Sequence, residues 1–225
     1  MMQVPKDSEE RKWEYLDKAL ELFHEKGYEK TTINDIIQKV GVSKGAFYHY
    51  FQSKEEVIET IAKIYAENTA RIIRNISERK DLTALEKVNM SITRVQEYKA
   101  YHAEKRLRIH EIFVSEENIK LQHKILDNFK EQAFSSYKTI INQGIKEGVF
   151  NTSYVEEAVE LLIDMMGNLN YVLAKFILEI KNDPDVMTSV KRKLEFYEES
   201  MERIMQAKKG SIKLARPIIE RIQRF

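Results

Sequence analysis

The sequence predicts an all-α protein, and three observations carry this prediction. Its 225 residues include only 7 Gly and 3 Pro, too few for the many turns of a β-sandwich or barrel. Apolar residues make up 43% of the chain, which is enough to build a core. These residues recur at steps of three and four, the period of a helix that packs on one face. We expect nine or ten helices in total.

Three short helices are predicted at the N-terminus. The first ends at Gly27, the second runs from the N-cap Thr32 to Gly41, and the third starts after the N-cap Ser43. Their inward-facing residues are predicted to be Trp13, Leu16, Leu20 and Phe23; Ile33, Ile36, Ile37 and Val40; and Phe47, Tyr50 and Phe51.

Longer helices follow. Apolar residues from Ile58 to Ile76 indicate a helix of roughly 24 residues that begins near Lys54. Further helices are predicted over residues 83–100, 102–114, 118–146, 154–181 and 185–206. We expect a DNA-binding domain over residues 1–52 with its motif at 32–51, a ligand-binding and dimerisation domain over 53–209, and a basic tail over 210–225. No flexible linker separates the first two domains.

The two short helices around Gly41 have the pattern of a helix-turn-helix, whose second helix enters the DNA major groove. With Phe47, Tyr50 and Phe51 facing inward, the outer face of the third helix carries polar and small residues. These outer residues are Lys44, Gly45, Ala46, Tyr48 and His49. The small residues permit the backbone to approach a sugar-phosphate chain closely.

Residues 31–55, TTINDIIQKVGVSKGAFYHYFQSKE, resemble the DNA-binding signature of the tetracycline repressor (TetR) family. Residues 19–28 are similar to the family's first helix and its exit, and residues 144–150 resemble a glycine-bracketed turn between two of its C-terminal helices. The resemblance implies a homodimeric transcriptional repressor that a small molecule releases from a palindromic, double-stranded DNA operator.

The resemblance also implies DNA-binding roles for individual residues. Thr32 and Lys54 would contact phosphates, Tyr48 and His49 would reach phosphates and base edges, and the start of the recognition helix would approach the groove. The full expected set is Thr32, Lys39, Ser43, Lys44, Gly45, Ala46, Tyr48, His49 and Lys54.

The charge of the first 52 residues is unfavourable for DNA, because eight basic and nine acidic side chains give a net charge of −1. We expect segregation: Lys39, Lys44 and Lys54 would cluster near the groove while the acids of the first helix face away. Those acids are Glu9, Glu10, Glu14, Asp17, Glu21 and Glu25. Weak non-specific binding with a shallow salt dependence would follow.

Other functions receive less support from the sequence. A helical hairpin without a ligand would not need Tyr48 and His49 outside beside Gly45 and Ala46. The same scaffold could instead bind and activate a partner enzyme without an operator. The five His show no HExxH pattern, there is no phosphate loop or GxSxG, and the absence of Cys excludes thiolate zinc sites. We therefore expect no enzyme, cofactor or metal, and the lack of Cys suits the cytoplasm.

A ligand pocket is expected inside the C-terminal domain, as the resemblance implies. Candidate wall residues, each of which could equally be ordinary core, are Tyr98, Tyr101, His102, His110, Phe113, Phe129, Phe134, Tyr137, Asp164, Met165, Asn168 and Tyr171. Their Met and aromatic content suits an apolar or amphipathic ligand. A buried Asp164 would favour a cationic group.

Residues 187–204 carry a heptad seam, which predicts a helix packed against another helix. Together with the apolar helix before it, this helix is expected to pair with a second subunit; a seam within one subunit is the alternative. The predicted dimer residues are Met166, Leu169, Leu173, Met187, Val190, Leu194, Tyr197, Met201 and Ile204. Asp164, Asn168, Asn170 and Lys175 argue against a membrane span in the preceding helix.

The last segment is strongly basic, with seven Lys or Arg and one Glu from residue 203 onward. Ile218, Ile219 and Ile222 share a stripe with Ala215, and Pro217 suits a first helical turn. We expect a helix docked on its own subunit. Extension of the dimer interface, DNA contact and a membrane-surface role remain open.

Overall fold

A computed structural model describes residues 8–101, 118–180 and 186–222. Every regular element in these ranges is a helix, which confirms the all-α prediction. The helices are α1 (Ser8–Lys26), α2 (Ile33–Val40), α3 (Lys44–Tyr50), α4 (Lys54–Ser77), α5 (Ala84–Tyr101), α6 (Ile119–Lys146), α7 (Val155–Ile180), α8 (Val186–Met205) and α9 (Ala215–Ile222). The helix predicted over residues 102–114 lies outside the described residues.

The chain divides into two compact units, and the division differs from the predicted domains. The N-terminal unit contains the described residues up to Tyr65 together with residues 118–125, and the C-terminal unit contains the rest. The chain therefore passes from one unit to the other inside α4 and inside α6, not at residue 52. The basic tail belongs to the C-terminal unit.

The core of the N-terminal unit corrects the stripe predicted for α1. Its buried residues are Tyr15, Leu16, Ala19, Leu22 and Phe23, whereas Trp13 is 52% exposed and Leu20 is half-buried. The ring of Tyr15 lies 5.9 Å from that of Phe47 and 6.1 Å from that of Phe51, measured between centroids. Because Tyr15 occupies the space facing α3, the buried face of α1 is rotated away from Trp13.

The heptad seam of α8 is buried inside a single chain, which corrects the predicted dimer contacts. Val190, Leu194, Tyr197 and Met201 join Leu169 and Leu173 of α7 in the large core of the C-terminal unit. Met166, Met187 and Ile204 pack against the same core. The six buried side chains have almost no accessible surface to offer a partner and are therefore subunit core. Met166, Met187 and Ile204 are half-buried and keep part of their surface.

The tail packs on its own subunit through both apolar and polar contacts. Ile212, Leu214, Ile218 and Ile222 are buried in the large core. Glu198 Oε1 accepts hydrogen bonds from the backbone N–H groups of Leu214 and Ala215, at 2.7 and 2.8 Å, next to the start of α9. Buried Glu202 accepts from the N–H of Ile212 at 2.9 Å. This arrangement is the docked helix expected from the sequence.

A polar corner joins the beginning of α5 to the end of α6. The buried ammonium of Lys87 donates to the carbonyl oxygen of Ser77 at 2.8 Å and to Gln143 Oε1 at 2.7 Å. Gln143 Nε2 donates in turn to the carbonyl of Leu82 and to Glu147. These bonds set the alignment of α5 with α6. No helix in the described ranges is both long and apolar enough to cross a bilayer.

Candidate nucleic-acid interface

The second helix begins with a capping box. The N–H of Asp35 donates to Thr32 Oγ1 at 3.2 Å, and the N–H of Thr32 donates to Asp35 Oδ2 at 2.7 Å. The ammonium of Lys26 lies 2.6 Å from the same carboxylate. Hydrogen bonds from Lys26 and then from Thr32 lower the pKa of Asp35 to about 2. Thr32 therefore fixes the start of α2 and remains exposed.

A tight turn connects α2 to α3. Gly41 has φ +77°, in the left-handed region, and its N–H donates to the carbonyl of Ile37 at 3.0 Å. Ser43 is the N-cap of α3, and its Oγ accepts from the N–H of Ala46 at 3.2 Å. Both predicted caps are thus present, and α3 leaves the turn in a fixed direction.

The inner face of α3 is aromatic, as predicted. Phe47 and Phe51 are fully buried, and half-buried Tyr50 lies 5.2 Å from Tyr15 between ring centroids. These contacts fix the rotation of α3 about its axis. The opposite face is consequently directed to solvent.

Lys44, Gly45 and His49 are exposed on this outer face, and Ala46 and Tyr48 are half-buried. The ring of Tyr48 meets the ring of Phe47 edge-on at 5.6 Å, and the Lys44 ammonium lies 5.9 Å from the Tyr48 ring centroid. A Cβ added to Gly45 would meet no atom within 4 Å. Nothing within the described chain requires glycine at this position.

Lys39, which was predicted to cluster with Lys44 and Lys54 near the groove, is paired with two carboxylates of α1. Its Nζ lies 2.6 Å from Glu25 Oε1 and 3.7 Å from Glu21 Oε2, both on α1. The hydrogen bond with Glu25 raises the pKa of Lys39. The expectation that these two acids face away is wrong, because α1 and α2 pack so that one side chain of α2 falls between them.

The ammonium of Lys54 also forms hydrogen bonds within the protein. Its ammonium donates to the carbonyl oxygens of Tyr28 and Glu29, at 2.9 and 3.3 Å, and lies 4.2 Å from the Tyr28 ring centroid. Tyr28 is itself buried and donates its hydroxyl to Glu55 Oε1 at 2.9 Å. Burial, and then this hydrogen bond, raise the pKa of Tyr28. In this conformation Lys54 holds the loop that precedes α2.

The first turn of α6 completes the N-terminal unit, which the sequence analysis did not foresee. Buried Asn118 accepts from the N–H of Tyr28 at 2.9 Å and donates to the carbonyl of Phe23 at 3.2 Å. Lys120 pairs with Glu29 at 2.7 Å, and Leu121 is buried in the core of the unit. The sequence around Asn118 does not predict these contacts, because the partners lie 90 and 95 positions away.

The predicted ligand residues do not gather around one described cavity. Phe129 and Tyr137 pack against two buried clusters, Phe134 and Met165 border the large core, and Tyr171 is half-buried. Asn168 is exposed, and Asp164 is 52% exposed with its carboxylate 3.5 Å from Lys130. Asp164 is therefore not buried, and the condition under which it would favour a cationic ligand is not met.

Tyr98 lines an open groove of about 560 Å³ formed by residues of α4, α5 and their connection. Arg79 and Arg94 on its walls pair with Asp81 and Glu97. The side chain of Tyr101, and His102, His110 and Phe113 as a whole, lie outside the described residues.

Comparisons with known proteins agree with this architecture. Residues 16–61 match the family described as bacterial regulatory proteins, tetR family. The matched segment contains the helix-turn-helix and its capped turn, so this part of the chain is similar to the DNA-binding region of the tetR family.

Three similar proteins illustrate the extent of the likeness. The uncharacterized HTH-type transcriptional regulator YuxN of Bacillus subtilis is 39% identical over 66 residues, or 29% of this chain and 23% of YuxN. The HTH-type transcriptional repressor KstR2 of Mycobacterium tuberculosis is 27% identical over 142 residues, covering 62% of this chain and 69% of KstR2. SmeT, the repressor of the Stenotrophomonas maltophilia multidrug efflux pump SmeDEF, superposes with a TM-score of 0.60 at 17% identity, covering 94% of each chain.

The first curated relatives are matched over only part of their length. The aligned segments span 23 to 31% of those proteins. At 17% identity, the likeness to SmeT shows a shared fold.

Proposed function

We propose that this protein is a sequence-specific DNA-binding transcriptional regulator, a homodimeric repressor that a small molecule releases from a palindromic operator. One observation carries the proposal: α3 presents Lys44, Gly45 and His49 to solvent above buried Phe47 and Phe51. This is the arrangement of a recognition helix, with one face fixed in a core and the other free for the major groove. A regulator of bacterial chromosomal DNA would work in the cytoplasm.

The roles of the exposed residues follow from their chemistry. Lys44 supplies a cation for a phosphate or a guanine edge, and the His49 ring can donate to or accept from a base edge. Gly45 and Ala46 would let the backbone of α3 approach the sugar-phosphate chain. Ser43 and Thr32 remain exposed at the two helix starts and could add phosphate contacts.

The proposed dimer surface is the outer face of α7 and α8, in place of their buried seam. Leu161 is 49% exposed and Phe196 is 66% exposed, and half-buried Met165 and Val172 continue the α7 stripe from Leu161 at steps of four and seven. Large exposed apolar side chains on adjacent helices are typical of an interface. The buried seam beneath them would hold this surface in shape.

Release is proposed to be a population shift between two arrangements of the dimer. Two recognition helices must lie about 34–36 Å apart to meet successive major grooves. A ligand that prefers another spacing weakens operator binding by its differential affinity for the two arrangements. The helices α4 and α6 contribute to both units, so a ligand in the C-terminal unit could act through either. SmeT has been solved in complex with triclosan, which supports a ligand site in this fold.

The test is recovery of bound DNA by purified protein from fragmented genomic DNA, followed by gel-shift titration of the recovered fragments. We expect His49→Ala to weaken binding roughly tenfold or more, because a base-edge contact would be lost in each half-site. The matched control is His123→Ala, which removes an exposed His from α6. Equal binding by wild type and His49→Ala would refute the assignment of α3.

A protein-binding role without an operator is the second candidate. Its support is that Lys39 and Lys54 are engaged inside the N-terminal unit, leaving Lys44 as the exposed cation of α3. The same experiment separates the two candidates. Failure to enrich any DNA fragment would favour the protein partner.

A further inference from the structure

Two glutamine side chains in the C-terminal unit have amide atoms that lack hydrogen-bond partners among the described residues. Gln96 of α5 is 2% exposed, and neither its Nε2 nor its Oε1 is bonded. Gln132 of α6 is half-buried, with an unbonded Oε1. Buried amide groups in folded proteins nearly always have partners. These groups therefore require an explanation.

The two amides lie at corresponding positions along the neighbouring helices α5 and α6. Lys87 of α5 contacts Gln143 of α6, and further along both helices Val95 and Ala133 share a buried cluster, so the helices run antiparallel. Gln96 follows Val95, and Gln132 precedes Ala133. Each residue adds about 1.5 Å of rise, so the amides lie about 13–17 Å from the polar corner at Lys87.

Both glutamines continue stripes that enter the large core. Gln96 is four residues after buried Ile92, and Gln132 is eight residues before buried Ile140. Residues at such spacings share one face of a helix. Phe129 and Tyr137 of α6 border both buried clusters at this height. The amides thus belong to an apolar and aromatic part of the interior.

Several other polar side chains of this unit are satisfied, although the hydroxyl oxygens of Ser91 and Ser211 also lack partners among the described residues. Lys87 has two acceptors, the Gln143 amide bonds on both its oxygen and its nitrogen, and Glu202 accepts from Ile212. Hydrogen-bond partners are therefore available to these polar side chains within the unit. Among the described residues of this unit, Gln96 differs from the others in that both polar atoms of its side chain are unbonded.

We infer that Gln96, supported by Gln132, is the hydrogen-bonding anchor of the effector site, and that the effector is uncharged and mostly apolar with a group that both donates and accepts, such as an amide. This inference rests on the proposed ligand-responsive function and specifies its ligand class. A glutamine amide complements such a group with one acceptor and one donor. Charge is disfavoured because the buried charged side chains described in this unit, Lys87 and Glu202, have partners of their own, and Asp164 is exposed.

The first test uses the protein without DNA or ligand. Gln96→Met keeps the side-chain volume and removes the unbonded amide, so we expect the melting temperature to rise by about 2–4 °C. Gln143→Met is the matched control, because it removes a bonded amide from the same unit and should lower the melting temperature. A Gln96→Met protein that melts at or below the wild-type temperature overturns the inference.

The second test compares three probes of one shape by calorimetric titration: 2-naphthamide, naphthalene and 2-naphthoate. Wild type should bind the amide most tightly, and Gln96→Met should lose about tenfold of that affinity while naphthalene binding stays unchanged. Failure of wild type to prefer the amide, or equal amide affinity in both proteins, overturns the inference.

These measurements are independent of DNA binding. If no genomic fragment is recovered while both results hold, the regulator proposal fails and the ligand site stands. If fragments are recovered and these results are absent, the ligand site fails alone.

Discussion

At Gly45 the demands of folding and of DNA binding oppose each other. An added Cβ would meet open space, and alanine is the better helix former. We predict that Gly45→Ala raises the free energy of unfolding by about 0.5 kcal/mol and weakens operator binding, because the new methyl group meets the DNA backbone. Urea denaturation and gel-shift titration of the same preparation measure both effects. A variant that gains stability and keeps full affinity would show that α3 does not approach DNA closely at this residue.

The capping box at α2 should give a measurable pH dependence. Hydrogen bonds from Lys26 and Thr32 lower the pKa of Asp35 to about 2 from its ordinary 3.8. The folded pKa lies below the unfolded one, so this stabilisation is complete above the unfolded value and is lost as pH falls toward 2. We predict that Asp35→Asn is less stable than wild type at pH 6 and that the difference shrinks below pH 4.

Urea denaturation between pH 6 and pH 3 measures this difference. Asp17→Asn, at an exposed position of α1, is the control substitution. A difference that stays constant with pH would contradict the role given to the Asp35 carboxylate.

Single residues also show which contacts a sequence can predict and which it cannot. The caps Thr32, Ser43 and Gly41 were predicted because each bonds with a residue three or four positions away. The engagement of Lys39 with Glu25 and of Lys54 with Tyr28 was not predicted, because these contacts join residues 14 and 26 positions apart. A sequence gives the charge of a lysine but not the partner that packing brings to it.

Among the elements, α6 has the least expected role. Its start is tied to the end of α1 by the two hydrogen bonds of Asn118. We predict that Asn118→Ala lowers the free energy of unfolding by about 2 kcal/mol, because it leaves the N–H of Tyr28 and the carbonyl of Phe23 unpaired in a buried place.

Chemical denaturation measures this loss, with Ile119→Ala at the neighbouring exposed position as the control. We expect the control to change stability by less than about 0.5 kcal/mol. A similar small change in Asn118→Ala would show that the start of α6 does not hold α1.

In α8 the helix period predicted which face is buried but not what buries it, whereas in α1 the predicted face was wrong at Trp13. The range of α4 and the seam of α8 both follow from apolar spacing. The seam, however, packs against α7 of its own chain. A heptad pattern requires a second helix, and the sequence does not say which chain supplies it.

At the scale of the whole molecule, binding of two recognition helices to one operator requires a dimer, and the proposed contact is the outer face of α7 and α8. We predict that Phe196→Asp halves the mass in solution and leaves the unfolding of the subunit nearly unchanged, since this side chain is exposed in the single chain. Light scattering after size-exclusion chromatography measures the mass.

The contrasting control is Leu194→Ala, two residues earlier in α8 and fully buried. This substitution should lower the free energy of unfolding by about 2–5 kcal/mol, because it leaves a cavity in the core. A Phe196→Asp protein with the wild-type mass would place the subunit contact elsewhere or exclude it.

Whether the exposed face of α3 reads DNA is best measured by selecting bound sequences from a random DNA library with the purified protein. We expect a two-fold-symmetric site whose half-sites are centred about one helical turn, or a multiple of it, apart, as two copies of α3 require. His49→Ala should fail to select that site. Enrichment of no sequence, or selection of the same site by His49→Ala, would contradict the claim that the exposed face of α3 reads DNA.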